Sequence, residues 1–219
     1  MIRIIGGTAR GRRLKTPTGE ATRPTSDRVR EALFSALEAG LGSLTGLRVL
    51  DLYAGSGAIG LEAMSRGAGV VTAVESNRRT ARLVEDNAAT LGFRKVEVLV
   101  QPVARALAHP PRAPYDVVFL DPPYPVGNDE VERALALLVA HEWLAAGCVL
   151  VVERSARSVE PTWPAGLVRD RERTYGETVL WYVRADPAGS GPGHPTGRPE
   201  EATRNTTREP HTTSQADPR

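Results

Sequence analysis

Leu47-Arg-Val-Leu-Asp51-Leu52-Tyr53-Ala54-Gly55-Ser56-Gly57-Ala58-Ile59-Gly60 decides how this chain folds. An apolar strand runs into G-x-G-x-x-G, and an apolar helix pattern follows. Glycines at that junction let the backbone turn tightly and come close to a ligand. The next apolar run, Val70-Val-Thr-Ala-Val-Glu75, ends in an acid twenty residues after Gly55. A carboxylate at that place can accept both hydroxyls of a ribose. Outward from this unit the chain alternates strand and helix. The pattern predicts strands over 47–52, 70–75, 95–100, 115–120 and 147–153, and helices over 58–66, 78–91, 102–108 and 129–141. These strands are apolar throughout, which predicts a parallel sheet covered on both faces. Gly67 and Gly92 stand where helices end. Two further runs, 167–173 and 178–184, have only Thr174-Tyr-Gly-Glu177 between them, so they form an antiparallel hairpin at the sheet's edge.

The glycine motif alone leaves a nicotinamide dinucleotide open as ligand, but two features point elsewhere. Asp51 lies at the strand's end, where it would repel a pyrophosphate and suits a ligand carrying an ammonium group. The strand over 115–120 ends in Asp121-Pro122-Pro123-Tyr124, a stiff turn that offers a carboxylate, backbone carbonyls and an aromatic face. Such a set fits a planar base with an exocyclic NH2, with acceptors for its hydrogens and a ring to stack on. A cofactor with ribose, adenine and a zwitterionic tail, beside an amine-binding turn, is S-adenosyl-L-methionine. The candidate cofactor residues are Asp51, Tyr53, Ala54, Gly55, Ser56, Gly57, Glu75, Ser76, Gln101, Pro102, Val103 and Asp121. The candidate catalytic residues are Asp121, Pro122, Pro123 and Tyr124.

The 219 residues are 41% hydrophobic, enough for a core, and hold no apolar run long enough for a membrane span. The start of the chain lacks a secretory signal pattern. A single cysteine, Cys148, lies in an apolar run and reads as a small core residue. A cytoplasmic protein fits these features. The net charge of +2 conceals a basic block. Residues 1–30 carry Arg3, Arg10, Arg12, Arg13, Lys15, Arg23, Arg28 and Arg30 against Glu20 and Asp27. Such a block is a footprint for a polyanion, so these eight are the candidate RNA contacts. Residues 1–45 thus form a basic extension of two short strands and a helix capped by Thr25 or Ser26, running to about Ala39. Residues 46–185 form the catalytic domain. Residues 186–219 are rich in Pro, Gly, Thr and Ser with almost no apolar side chains, and read as disordered.

Four blocks together resemble a known family: Arg3-Ile-Ile-Gly-Gly with Arg10-Gly-Arg-Arg-Leu14, Arg23-Pro-Thr-Ser-Asp-Arg-Val-Arg-Glu-Ala-Leu-Phe34, Asp51-Leu-Tyr-Ala-Gly-Ser-Gly-Ala-Ile-Gly-Leu-Glu-Ala63, and Asp121-Pro-Pro-Tyr124. Over about residues 2–185 the chain resembles the class I methyltransferases, and within them the RsmD-type 16S rRNA (guanine-N2)-methyltransferases. The second block is the most specific, since generic methyltransferases lack it. The resemblance implies an α/β fold with a seven-stranded Rossmann-like sheet, mostly parallel with the last strand antiparallel, helices on both faces and a small N-terminal extension. It implies methylation of one guanine N2 in small-subunit rRNA, naked or within a 30S particle, by a monomer that uses S-adenosyl-L-methionine and neither metal nor membrane. The chain departs from the family after its third strand. There Val100-Gln101-Pro102-Val103 replaces an Asn or Asp followed by a small residue, so Gln101 or the Val103 amide is expected to serve the adenine.

Three rival readings follow from the same residues. Asp-Pro-Pro-Tyr turns also serve methylation of adenine N6 or cytosine N4 in DNA. A nicotinamide-dependent oxidoreductase would use the glycine motif alone. A non-enzymatic RNA-binding module would keep only the basic block. His109, His141, His194 and His211 lack metal-ligand spacing, and Glu153 reads as an exposed acid at a strand end. Trp143 and Trp163 read as packing anchors.

Overall fold

The apolar runs form a seven-stranded sheet whose central strands bury both of their faces under helices. The computed structural model describes residues 2–17, 26–123 and 126–186. Two short strands, β1 (Ile2–Arg3) and β2 (Arg13–Leu14), pair antiparallel, and helix α1 (Asp27–Leu41) follows. The alternation then runs β3 (Arg48–Leu52), α2 (Ala58–Ser65), β4 (Val70–Val74), α3 (Arg78–Leu91), β5 (Val96–Leu99), α4 (Val103–Ala106), β6 (Tyr115–Leu120), α5 (Asn128–Ala140), β7 (Leu144–Ser155), β8 (Leu167–Tyr175) and β9 (Thr178–Ala185).

The strand order is β5-β4-β3-β6-β7-β9-β8. Neighbours from β5 to β7 are parallel, and β9 is antiparallel to both β7 and β8. The predicted hairpin is therefore the β8–β9 pair at the sheet's edge. The chain moves outward from β3 to β5, then returns across β3 to place β6 on its other side. The carboxyl ends of β3 and β6 thus flank the point where the strand order reverses, the place where open α/β sheets make a crevice.

Alternation along the strands sorts side chains between two layers. Val49, Val71, Val117, Phe119 and Val151 pack under α1 and α2, against Leu33, Phe34, Leu37, Ile59 and Ala63. Leu50, Leu52, Val118, Leu120 and Val152 face the other way, against Val103 of α4 and Val131, Leu135 and Leu138 of α5. Trp143 stacks on Tyr115 at 5.7 Å, and Tyr115 donates its hydroxyl to Thr72 at 2.7 Å. Trp163 meets buried Trp181 edge to face. Cys148 is buried, and burial pushes its thiol pKa up.

The β1–β2 hairpin packs on the outer side of α2 and α3, with Ile2, Ile4, Ala9 and Leu14 against Leu61 and Ala88. Its polar backbone is satisfied by α2. Buried Glu62 accepts from the Ile5 and Gly6 amides, each at 2.7 Å, and from Arg66 Nε at 2.8 Å. Ser65 accepts from the Ala9 amide and donates to the Gly6 carbonyl. Gly7, at φ +73°, comes so close to the Ser65 carbonyl that a Cβ there would overlap it.

Most predicted bounds hold within two residues. β7 is the exception, starting at Leu144 rather than 147 and running to Ser155. Its early residues pair Leu144 with Tyr115 before an irregularity restores the register at Val117 and Val149. That stretch, Leu-Ala-Ala-Gly, has no β-signature of its own, and the neighbouring strand supplies the ladder. Ser26, one of the two expected caps, accepts the Val29 amide at the start of α1, and the helix runs on to Leu41 before Gly42. The expected disorder of the tail falls, from residue 187 on, outside the described residues.

Candidate active site

The glycine loop closes by local geometry. Tyr53 leaves β3 at φ +64°, a conformation that costs a bulky residue of order 1–3 kcal/mol and clusters at functional sites. Its ring, half-buried, donates its hydroxyl to Glu130 Oε1 at 3.2 Å on the first turn of α5. Burial, then the charge of Glu130, push the phenol pKa up. Gly57 adopts φ +78° and caps α2, and a Cβ on it would lie 2.8 Å from Val84 Cγ1. A Cβ on Gly60 would lie 2.8 Å from Val71 Cγ1. The third glycine therefore lets α2 press against the sheet, and the first, Gly55 at φ +55°, opens onto free space.

Three carboxylates face this loop from adjacent strands. Asp51, 2% exposed at the end of β3, accepts the Gly60 amide at 2.9 Å. Burial is the largest influence on it, and the nearby charges of Asp121 and Glu75 add to it, so its pKa is pushed up to about 7 despite the Gly60 bond. Glu75 follows β4 and is fixed by two donors, the Gly55 amide at 3.0 Å and the Asn77 amide at 2.7 Å. Asn77 in turn caps α3, accepting the Arg79 and Thr80 amides. Asp121 follows β6, partly buried, with its amide 3.5 Å from the Leu52 carbonyl. So much concentrated negative charge in a crevice favours a cationic ligand.

The remaining candidates fall around the same edge. Ala54 and Ser56 are buried in the loop, and Ser76 is exposed beside Glu75. Gln101 is partly buried after β5, the strand beyond β4. Pro102 caps the short helix α4, and the Val103 side chain is in the core, which leaves only its amide available to a ligand. Pro122 is buried and Pro123 exposed; Tyr124 lies outside the described residues. The turn is braced from behind, since the Val126 amide donates to the Pro123 carbonyl and Arg154 Nη2 of β7 donates to the Val126 carbonyl at 2.7 Å.

Two expectations are corrected. Arg30 is wholly buried, donating from Nη2 to the Arg3 carbonyl at 2.8 Å and to Asp27 at 2.7 Å. It therefore ties β1 to α1 and presents nothing to a polyanion. Its place on α1 follows Val29 and precedes Leu33, so the turn of the helix carries it inward. Glu153 is 7% exposed, a buried acid at the end of β7. Arg3, Arg10, Arg12, Arg13, Lys15 and Arg28 are exposed; Arg3 pairs with Asp27, Arg12 donates to the Thr90 carbonyl, and Lys15 pairs with Asp86. Arg23 lies outside the described residues.

Sequence reasoning missed Asn87, Arg154, Glu62 and Glu130. Asn87 had a readable signal, a polar residue on the face of α3 that buries Thr80, Ala81, Val84 and Ala88. Arg154 and Glu130 had none: the return of β7 beside β6 brings Arg154 to the turn, and α5 brings Glu130 to Tyr53.

Fold and site define the class: this is a class I methyltransferase. The chain belongs to the family described as Conserved hypothetical protein 95, whose model matches residues 2–184. It is 39% identical over 188 residues to the ribosomal RNA small subunit methyltransferase D of Escherichia coli K12, covering 86% of this chain and 92% of that one. The Haemophilus influenzae protein of the same name is 39% identical over 155 residues, 69% of this chain and 78% of its own. Among solved structures, yhhF of Escherichia coli superposes with a TM-score of 0.76 at 34% identity, over 84% of this chain and 98% of that one. A hypothetical protein of Thermus thermophilus gives 0.68 at 32% identity, over 83% and 98%.

Proposed function

We propose that this protein transfers a methyl group from S-adenosyl-L-methionine to the exocyclic N2 amine of a guanine in 16S rRNA. The observation that carries the reading is the meeting of Asp51, Glu75 and Asp121 around the Gly55–Gly57 loop where the strand order reverses. The residues present fit the cofactor: Glu75 is oriented for a ribose, Asp51 for an ammonium group, Gly55 leaves room for close approach, and Gln101 or the Val103 amide lies on the adenine side. When bound, the cofactor supplies an electrophilic methyl on a sulfonium.

The chain's own part is to place the acceptor. Guanine N2 is a poor nucleophile because its lone pair is delocalised into the ring. The Asp121 carboxylate and the Pro122 carbonyl accept its two hydrogens and turn the lone pair out of conjugation, and Tyr124 stacks on the flipped base. Well-aligned reactants gain roughly 7–11 kcal/mol in this way. No strong base is needed beforehand, since the proton leaves N2 after the methyl has transferred. Unstacking the base costs a few kcal/mol, offset by phosphate contacts from Arg3, Arg10, Arg12, Arg13, Lys15, Arg23 and Arg28. Residues 46–185 carry the chemistry and the extension over 1–45 reads the RNA, naked or within a 30S particle.

The protein acts in the cytoplasm as a monomer. No helix among the described residues is long and apolar enough to cross a membrane. The relatives' printed names support rRNA over DNA as substrate. The test is to map methyl groups by mass on rRNA from cells lacking the protein, and to assay rRNA, 30S particles and DNA in parallel. One small-subunit guanine that loses its N2 methyl and regains it with purified protein supports the reading. Transfer to DNA alone, or to none of the three, refutes it.

A further inference from the structure

Asn87 is 2% exposed on α3, between the basic extension and the glycine loop. Its Oδ1 accepts the Lys15 amide at 2.9 Å. Its Nδ2 donates to the Lys15 carbonyl at 3.0 Å and to the Ser56 carbonyl at 3.2 Å. One planar side chain thus pairs with both backbone groups of Lys15, as a neighbouring strand would, and uses its second hydrogen to hold the loop between Gly55 and Gly57. At this reach only an asparagine offers an acceptor and two donors in one plane. An aspartate of the same shape would set a carboxylate against two carbonyls.

We infer that Asn87 is a positioning residue that couples the cofactor loop to the RNA-reading extension, so that each ligand alters the protein's affinity for the other. The inference rests on the proposed function. Buried hydrogen bonds are directional and costly to leave unmade, so a displaced Ser56 carbonyl and a displaced Lys15 cannot both be accommodated by a fixed amide. Lys15 lies close to the candidate phosphate contacts, its side chain on Asp86 and Arg12 on the Thr90 carbonyl of the same helix. Binding linkage is reciprocal by thermodynamic necessity, so one ratio describes both directions.

The measurement is calorimetric titration of the full chain with S-adenosylhomocysteine, with and without a saturating fragment of small-subunit rRNA. In the wild type the two affinities are expected to differ by about fivefold or more, the lower end of typical coupling. Asn87→Asp brings the ratio close to one. So does Lys15→Pro, which deletes the amide hydrogen that Asn87 accepts while leaving Asn87 and the loop unchanged; it keeps the test open should the buried substitution unfold the chain. Lys15→Ala removes the cation and keeps the amide, so it weakens RNA binding but preserves the ratio. A general loss of stability would not sort these two substitutions. A wild-type ratio of one, or an undiminished ratio in Lys15→Pro, overturns the coupling. A wild type that binds neither S-adenosylhomocysteine nor RNA overturns the proposed function instead.

Discussion

Asp51 ionises in the fold only near neutral pH, because its carboxyl is out of water and faces two other carboxylates. Its pKa rises from 3.8 to about 7, so below that pH the fold favours the protonated form. The stabilising share is complete below pH 4 and is lost as pH climbs to about 7. A cationic ligand reverses that preference, since it favours the anion. S-adenosylhomocysteine affinity is therefore expected to rise toward tenfold per pH unit below about 7 and to level off above it. Titration calorimetry from pH 5.5 to 8.5 checks this, with Asp51→Asn expected to bind weakly and show no such dependence. In the proposed mechanism Asp121 holds the acceptor amine. Asp121→Ala is expected to retain S-adenosylhomocysteine binding while the rate of transfer falls about 100-fold or more, the usual cost of one aligned polar group at a reacting centre. Turnover near wild type would remove Asp121 from the chemistry.

Helix α2 works on both of its ends. Its first turn carries the glycine loop, and its last turn anchors the hairpin through Glu62 and Ser65. Glu62 is fully buried, and Arg66 is mostly so. Glu62→Ala leaves two partly buried amides without their acceptor and part of a mostly buried guanidinium uncompensated, a change that costs about 3–5 kcal/mol when one partner of a buried pair is removed. The urea unfolding midpoint should drop accordingly. In conditions where the variant is folded, RNA binding should weaken more than S-adenosylhomocysteine binding, since the hairpin loses its seat while the loop keeps Asp51 and Glu75. Edge strand β8 carries a different burden. Arg169, Asp170, Glu172 and Arg173 are exposed along it, and charges on an open edge discourage pairing with another chain.

The whole molecule is polarised. The carboxylates collect in the crevice, whereas the exposed cations of the extension lie over α2 and α3. A cationic cofactor and a polyanionic substrate are thereby directed to different places on one surface. Replacing Arg10, Arg12 and Arg13 together by Gln should weaken RNA binding and reduce the slope of log affinity against log salt by about 2, if each contacts one single-strand phosphate. Cofactor affinity should be unaffected. An unchanged slope would return these arginines to the role of solvated surface charge.

The alternation of Leu47 to Gly60 with the runs after it was enough to read the parallel sheet, its helices and the edge hairpin, because apolar period and glycine position are local properties of the chain. Asp51, Glu75 and Asp121 were legible as site residues for the same reason: each is the polar residue that ends an apolar strand. What sequence could not decide was which side chains are enclosed. Arg30 and Glu153 read as surface charges and are buried, since the burial of a charge depends on partners brought from distant segments. Asn87, Arg154 and Glu130 became site residues only when β3, β6 and β7 came side by side and the extension folded across α3. Strand order and layer packing are products of the whole chain closing its core, and those contacts span up to 72 residues at Asn87 and 77 at Glu130, a range over which no local pattern carries information.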